Sequence, residues 1–197
     1  MLEGYTNQQM VGPAMTDDRN TPESMLSVGF ILLPEFTLSA LAGFLDTLRL
    51  SADDNFGNRQ LYCSWTILNL DLSPVRSSCG AKLVPWETLR RPIDFDCLVV
   101  VGGLVKGHQH IDPRLTRYIA ETHESGKLVV GLCTGSFALA YSGLMKHRTT
   151  CVHWFHKPDF QLAFPDHNCI TDVVYYEDDR CLTCAGAARL ATSQPTS

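Results

Sequence analysis

The stretch KLVVGLCTGSFALAYSGL, residues 127–144, decides the fold. A short apolar run leads into Cys133, a Thr-Gly pair follows, and small and apolar residues then recur with helical spacing. Continuous apolar runs of this kind are typical of strands that are buried on both faces of a parallel sheet. The stretch therefore predicts a buried strand, a sharp turn at Cys133 and a helix that packs against the sheet.

Two further apolar runs predict strands of the same sheet, VGFILL at 28–33 and DCLVVVGG at 96–103. A predicted helix follows each of them. We expect Ser39 to cap the first helix, while Asp112 as N-cap and Pro113 at the first helical position mark the start of the second. Because strands alternate with helices, we predict an α/β fold with a mainly parallel central sheet that helices cover on both faces.

The chain of 197 residues is long enough for one domain with flexible ends. Residues 1–24 are polar and show no periodicity, so we expect a disordered leader. The predicted domain occupies residues 25–188, and residues 189–197 are expected to form a disordered tail. Ligands of such sheets bind beyond the carboxyl ends of the strands.

Composition excludes several classes of function. A net charge of −5 argues against a nucleic-acid-binding face, and no apolar run reaches the ~20 residues that a membrane span needs. The start of the chain does not resemble a signal peptide, so we expect a cytoplasmic protein whose eight cysteines are reduced. Neither Cys181-x-x-Cys184 nor His153-x-x-His156 has the further ligands of a metal site, and we expect no metal or other cofactor.

Cys133 lies in a Gly131-x-Cys133-x-Gly135 pattern, which matches the spacing of a nucleophile elbow. A thiol at the start of a helix is favoured as a thiolate, and the backbone N–H groups of Thr134 and Gly103 are candidate oxyanion donors. Three interpretations stay open for this cysteine: a catalytic nucleophile, part of a binding site, or a buried thiol.

His153 follows a short apolar strand and is the natural partner for the thiol, either as a base or as a structural histidine. A cysteine–histidine pair normally needs an orienting acid. The turn after the first strand offers Glu35, but the helix beyond it presents apolar and small residues, and residue 155 is a phenylalanine. We therefore predict that no carboxylate contacts Cys133.

Several stretches of this sequence resemble one superfamily over about residues 26–186. They are VGFILLPEFTLSALAGFLDTLRLS, SPVRSSCGAKL, DCLVVVGG, GLCTGSFALAYSGLMKHRTTCVHW, FPDH and CLTCAG. The chain resembles the ThiJ/PfpI (class I glutamine amidotransferase-like) superfamily, and within it the N-terminal sensing domain of GlxA-like AraC-type transcriptional regulators. These include regulators of carnitine, glycine betaine and arginine use.

The resemblance implies a flavodoxin-like three-layer sandwich, Cys133 at the elbow, and a homodimer. In enzymatic relatives an acid on the first helix contacts the cysteine, and the matching residue here is Ala40. The regulators continue into a C-terminal DNA-binding domain with helix-turn-helix motifs, whereas this sequence stops eleven residues after Gly186. The resemblance thus implies a truncated sensing domain that does not itself bind nucleic acid.

The pocket of such regulators is thought to bind a small metabolite rather than to transform it. A quaternary amine would be held by the rings of Phe36 and Trp154 through cation–π attraction, and a ligand carboxylate would lie at the helix start near Thr134. An amino-acid-like ligand fits as well. The alternative is a cysteine-dependent hydratase or hydrolase of the same family that uses Cys133 and His153. The predicted ligand-binding residues are Phe36, Thr37, Gly103, Leu104, Thr134 and Trp154.

Overall fold

The computed structural model describes residues 26–53, 59–105 and 111–186. The predicted leader, residues 1–24, and the predicted tail, residues 189–197, lie outside these ranges. The strands are β1 (Leu26–Leu32), β2 (Cys63–Asn69), β3 (Val75–Arg76), β4 (Lys82–Leu83), β5 (Glu87–Thr88), β6 (Cys97–Val101), β7 (Leu128–Leu132), β8 (Thr150–Cys151), β9 (Cys169–Ile170), β10 (Tyr175–Asp178) and β11 (Cys181–Cys184).

Seven of these strands form the central sheet in the order β10-β11-β7-β6-β1-β2-β5. All neighbours in it pair in parallel except β10 and β11, which form an antiparallel hairpin. The pairs β3–β4 and β8–β9 form two small sheets beside it. The predicted α/β class and mainly parallel, flavodoxin-like sheet are confirmed.

The described helices are α1 (Leu38–Ser51), α2 (Pro113–Glu124), α3 (Gly135–Tyr141) and α4 (Lys157–Ala163), with short 3-10 helices at Pro92–Asp94 and Trp154–His156. The start of α2 follows the prediction, since the Asp112 side chain accepts a hydrogen bond from the Arg114 N–H at 2.8 Å. The predicted cap of α1 is wrong. Thr37 is the N-cap and Ser39 lies in the first turn, because the carbonyl oxygen of Thr37 accepts the first helical hydrogen bonds, from the N–H groups of Ala40 at 3.2 Å and Leu41 at 3.3 Å.

Apolar side chains alternate between the two faces of β1, as a strand requires when both faces are buried. Phe30 and Leu32 pack in the cluster that contains α1, whereas Ile31 and Leu33 pack in the cluster that contains α2, α3 and α4. Among the described helices, α1 alone contributes to the first cluster. The structure shows no helix, within the described ranges, that is long and apolar enough to cross a membrane.

The register of the central strands positions the candidate site. Leu32, Val101 and Leu132 lie in one row across β1, β6 and β7. The chain therefore leaves all three strands at the same edge. It continues into the turn before Thr37, into the paired glycines, and into Cys133.

Candidate functional site

Cys133 lies in a strained turn between β7 and α3. Its φ of 55° is in the left-handed region, which costs a residue with a side chain roughly 1–2 kcal/mol. Close backbone packing holds the turn. A Cβ on Gly135 would lie 2.2 Å from the carbonyl oxygen of Val100, and one on Gly131 would lie 2.8 Å from the backbone nitrogen of Ser136. The glycine spacing around Cys133 is explained by this close approach of α3 to the sheet.

The turn after β1 forms a second wall of the site. The backbone of Glu35, at φ 58°, is held by a 2.8 Å hydrogen bond from its N–H to the carbonyl oxygen of Arg76. Thr37 follows, and its hydroxyl donates a hydrogen bond to the sulfur of Cys133 at 3.7 Å. The first strand therefore delivers a hydroxyl donor to the thiol.

The third wall comes from the residues after β11. Gly186 has a φ of 88°, and a Cβ at this position would lie 3.2 Å from the sulfur of Cys133. Glycine is thus required both by the backbone conformation and by the contact with the thiol. This gives a structural reason for the Cys-Ala-Gly sequence that ends the described part of the chain.

The fourth wall is the 3-10 helix that begins after His153. The Nδ1 atom of His153 accepts a hydrogen bond from the backbone N–H of Phe155 at 3.2 Å and so caps this helix. One turn further, Nδ1 of His156 lies 3.4 Å from the carboxylate of Asp159. The two imidazole rings are 6.2 Å apart between centroids.

These four walls enclose a cavity of about 370 Å³ that is open to solvent. None of its described lining residues carries a carboxylate. Glu35 on the neighbouring turn faces Arg76 at 3.8 Å, and Ala40 packs beside the α1 cluster. The cavity is lined by Thr37, Ser39, Cys133, His153, Phe155, His156, Ala185 and Gly186.

Three of the residues that the sequence singled out, Thr37, Cys133 and His153, are brought together on this cavity. Phe36 has a fully buried side chain in the α1 cluster, so its ring has no surface for a ligand. Trp154 is 58% exposed and packs beside His153, at 5.5 Å between ring centroids, without lining the cavity.

The remaining predicted residues do not line the cavity either. Thr134 is buried, and its hydroxyl donates to the carbonyl oxygen of Gly103 at 2.5 Å. Gly103 is buried against the Glu35 backbone, and Leu104 is 56% exposed. The structure does not support the expected binding of a ligand carboxylate near Thr134. The Thr134 side chain is hydrogen-bonded to the glycine turn, and α3 has only seven residues.

Sequence reasoning missed Ser39, Phe155, His156, Ala185 and Gly186 as lining residues. Phe155 could have been considered from the sequence, since it directly follows the predicted site residues His153 and Trp154. A short 3-10 helix turns the next ring, rather than the tryptophan ring, toward the cavity. Its position could not be inferred without the conformation of this helix.

All eight cysteines are free in the structure, but their surroundings differ. Burial raises the pKa of the Cys97 thiol to about 12 and that of Cys181 to about 11. Cys79 is exposed, and its hydrogen bond with the hydroxyl of Ser77 at 3.2 Å lowers its pKa. Across the described ranges, no group of three or more histidine, cysteine or acidic side chains could hold a metal ion.

Comparison with known proteins agrees with this architecture. A family model described as the DJ-1/PfpI family matches residues 54–195. The HTH-type transcriptional regulator GbdR of Pseudomonas aeruginosa is 31% identical over 153 residues, which cover 78% of this chain and 40% of the regulator. The HTH-type transcriptional regulator CdhR of the same species is 27% identical over 161 residues, covering 82% and 46%.

A crystal structure of an AraC family transcriptional regulator from Pseudomonas putida superimposes with a TM-score of 0.63 at 25% identity, covering 82% of this chain and 84% of that one. The chain spans less than half the length of GbdR and CdhR. The family model covers most of the chain, and the resemblance inferred from the sequence motifs is confirmed. The chain belongs to the DJ-1/PfpI family.

Proposed function

We propose that this chain is the small-molecule-sensing domain of an AraC-type transcriptional regulator. Its ligand binds in the cavity at Cys133 and is not transformed there. The support comes from the regulators among its relatives and from the cavity itself. At about 370 Å³ the cavity falls in the range of small-ligand sites.

The observation that carries this proposal is the lack of a carboxylate among the described residues that line the cavity. A cysteine nucleophile is normally activated by a base that a third group orients. Here the hydroxyl of Thr37 donates a hydrogen bond to the sulfur, and Ala40 occupies the position of the usual acid. This arrangement favours binding over chemistry.

The ligand class that we propose is a quaternary amine or an amino-acid-like molecule. Phe155 lines the cavity and is 63% exposed, so its ring face can receive a cationic group. Such a contact contributes ~0.5–2 kcal/mol. Phe155 thus takes the role that the sequence assigned to Phe36 and Trp154.

Isothermal titration calorimetry with glycine betaine, carnitine and arginine tests this function. The variant Gly186→Ala places a methyl group 3.2 Å from the sulfur of Cys133. Gly143→Ala is the matched control, because Gly143 also has a positive φ, 81°, but a Cβ there meets nothing within 4 Å. We expect binding by the wild type and by Gly143→Ala, and a loss of about tenfold or more for Gly186→Ala. No heat with any ligand at millimolar concentration would reject the proposal.

A second candidate is a cysteine-dependent hydratase or hydrolase, which the strained backbone of Cys133 favours. Turnover of a panel of small electrophiles by wild type, Cys133→Ala and Cys79→Ala separates the two candidates. The sensing domain predicts no turnover that depends on Cys133. A robust activity that Cys133→Ala removes and Cys79→Ala keeps would establish the enzyme.

We further propose that the domain is a cytoplasmic homodimer and leaves DNA contact to other parts of a regulator. Partly buried apolar side chains, among them Leu128, Leu182 and Cys184, border the α1 cluster, to which α1 alone of the described helices contributes. A dimer that covers this border would remove them from water. Light scattering on a size-exclusion column should give twice the chain mass of 21.9 kDa, and a monomer at every concentration would contradict it.

A further inference from the structure

A second cavity lies at the same edge of the sheet as the first, where β1 and β2 end. Its volume is about 310 Å³, and it is open to solvent. Leu32 and Leu33 line it at the end of β1, and Asn69 and Leu70 line it at the end of β2. None of its described lining residues lines the first cavity. The second cavity is therefore separate from the first and lies at the edge where open α/β sheets bind ligands.

Apolar side chains form much of the lining of this second cavity. Leu33 and Leu115 are buried in the core cluster that contains α2, α3 and α4. Leu70 and Ile111 pack against the same cluster, and Val75 of β3 is buried as well. A volume of about 310 Å³ is at the lower end of the range of small-ligand sites. The cavity therefore fits the apolar body of a small molecule.

Three charged side chains line the second cavity, and two of them face an opposite charge. The carboxylate of Asp112 binds the guanidinium of Arg114 at 2.7 Å, and the guanidinium of Arg76 faces the carboxylate of Glu35 at 3.8 Å. Asp71 is the third, and no described basic group forms an ion pair with it; its carboxylate accepts a hydrogen bond from a backbone N–H. Three carboxylates and two guanidinium groups leave one negative charge without a partner at this cavity.

The carboxylate of Asp71 is held in its ionised form. It accepts a hydrogen bond from the backbone N–H of Ser73 at 2.8 Å. This bond lowers the pKa of Asp71, and the hydroxyl of Ser73 and the positive charge of Arg114 act in the same direction. Asp71 is also exposed to solvent. At neutral pH the second cavity therefore carries an accessible charged carboxylate beside an apolar interior.

We infer that the second cavity binds a small organic cation, a primary amine whose apolar body fills the cavity and whose ammonium group meets the carboxylate of Asp71. An alkylammonium group offers three N–H donors, and an ionised carboxylate can only accept. A neutral ligand leaves the charge of Asp71 uncompensated, and a carboxylate on the ligand adds a further negative charge there. The inference does not depend on the proposed function, because that function uses the other cavity.

Amide chemical shifts of the ¹⁵N-labelled chain, titrated with n-hexylamine near pH 7, test the inference, and 1-hexanol is the neutral ligand of matched shape. We expect saturable shifts at Leu33, Asn69 and Leu115 with both ligands. The amine should bind about fivefold more tightly, the upper end for an exposed ion pair. Affinity should rise about two- to fourfold per methylene from n-butylamine to n-hexylamine. Equal affinities for amine and alcohol, or no saturable shift at these three residues up to the solubility of the amine, would overturn the inference.

Two variants separate the Asp71 contact from a general effect of charge. Asp71→Asn keeps an oxygen that accepts the Ser73 N–H bond and removes the charge. Asp172→Asn is the matched control, since Asp172 is exposed and lines neither cavity. We expect Asp71→Asn to bind n-hexylamine about fivefold more weakly and 1-hexanol unchanged, and Asp172→Asn to match wild type. An equal loss in both variants would show that net charge alone attracts the amine, against the inference.

Salt dependence of the wild type gives the same test without a variant. Exposed charges are screened by salt, so raising NaCl from about 20 to about 200 mM should weaken the binding of n-hexylamine and leave that of 1-hexanol unchanged. An amine affinity that does not change with salt would contradict the ionic contact with Asp71.

Discussion

Replacing Gly135 with alanine tests how tightly the Cys133 turn is packed. The added Cβ would lie 2.2 Å from the carbonyl oxygen of Val100, whereas ordinary contact begins at 3.4 Å. The backbone of α3 and β6 would therefore have to separate by about 1.2 Å. Overpacking of a core typically costs ~1–3 kcal/mol and occasionally more, and a clash with backbone cannot be relieved by a rotamer change. We expect a loss near the upper end, about 3 kcal/mol.

Gly43→Ala is the matched control, because Gly43 lies within α1 and a Cβ there meets nothing within 4 Å. Alanine in a helix interior is favoured over glycine by roughly 0.5–1 kcal/mol, so this variant should be slightly more stable than wild type. Urea denaturation followed by circular dichroism measures both. In thermal melts, a loss of about 3 kcal/mol corresponds to a decrease in Tm of roughly 6–12 °C for a chain of this size. Equal stability of Gly135→Ala and Gly43→Ala would refute the close packing inferred for the turn.

Three other predictions concern the core, the pH dependence and the thiols. Phe137→Ala should reduce the free energy of unfolding by ~3–5 kcal/mol because the ring is fully buried, while Leu162→Ala, at 86% exposed, should change it by less than ~0.5 kcal/mol in the same denaturation assay. Burial lowers the pKa of His167 below its ordinary 6.5, so the unfolded chain takes up this proton first as the pH drops. The free energy of unfolding should therefore decrease below about pH 6.5, and thermal melts of His167→Phe should show a smaller decrease. Iodoacetamide at about pH 8 should label Cys79 faster than Cys97, because Cys79 is exposed with a lowered pKa whereas the pKa of Cys97 is about 12. Peptide mass spectrometry measures both labelling rates, and equal rates in the folded protein would contradict this order.

The sheet could be predicted because its strands carry an unambiguous signal. The runs that became β1, β6 and β7 are apolar on both faces, and the punctuation by Asp112 and Pro113 fixed the start of α2. The cap of α1 was predicted wrongly, because the first helical hydrogen bonds go to the Thr37 carbonyl oxygen, and a contact across the sheet edge with the Gly102 carbonyl holds the Thr37 N–H. Local sequence does not contain that contact.

The location of a site residue could be predicted where the residue lies just after a strand, but not where a loop conformation determines the direction of its side chain. Cys133 follows β7 directly and Thr37 ends the turn after β1, so the parallel pairing of both strands with β6 places them at the same sheet edge. Phe36 alternates with Thr37 along the extended chain, and its side chain turns into the core. The roles of Phe155 and His156 depend on a three-residue 3-10 helix, whose conformation is set by the hydrogen bond to His153.

The most direct test of the account is a titration of the ¹⁵N-labelled chain with the tightest ligand found by calorimetry, followed by amide chemical shifts. We predict the largest changes at Thr37, Cys133, Phe155 and Gly186, with the ligand recovered unchanged. Shifts confined to the second cavity of about 310 Å³, which lies beside Asn69, would contradict the proposed site. Conversion of the ligand by the wild type but not by Cys133→Ala would contradict the proposed sensing role.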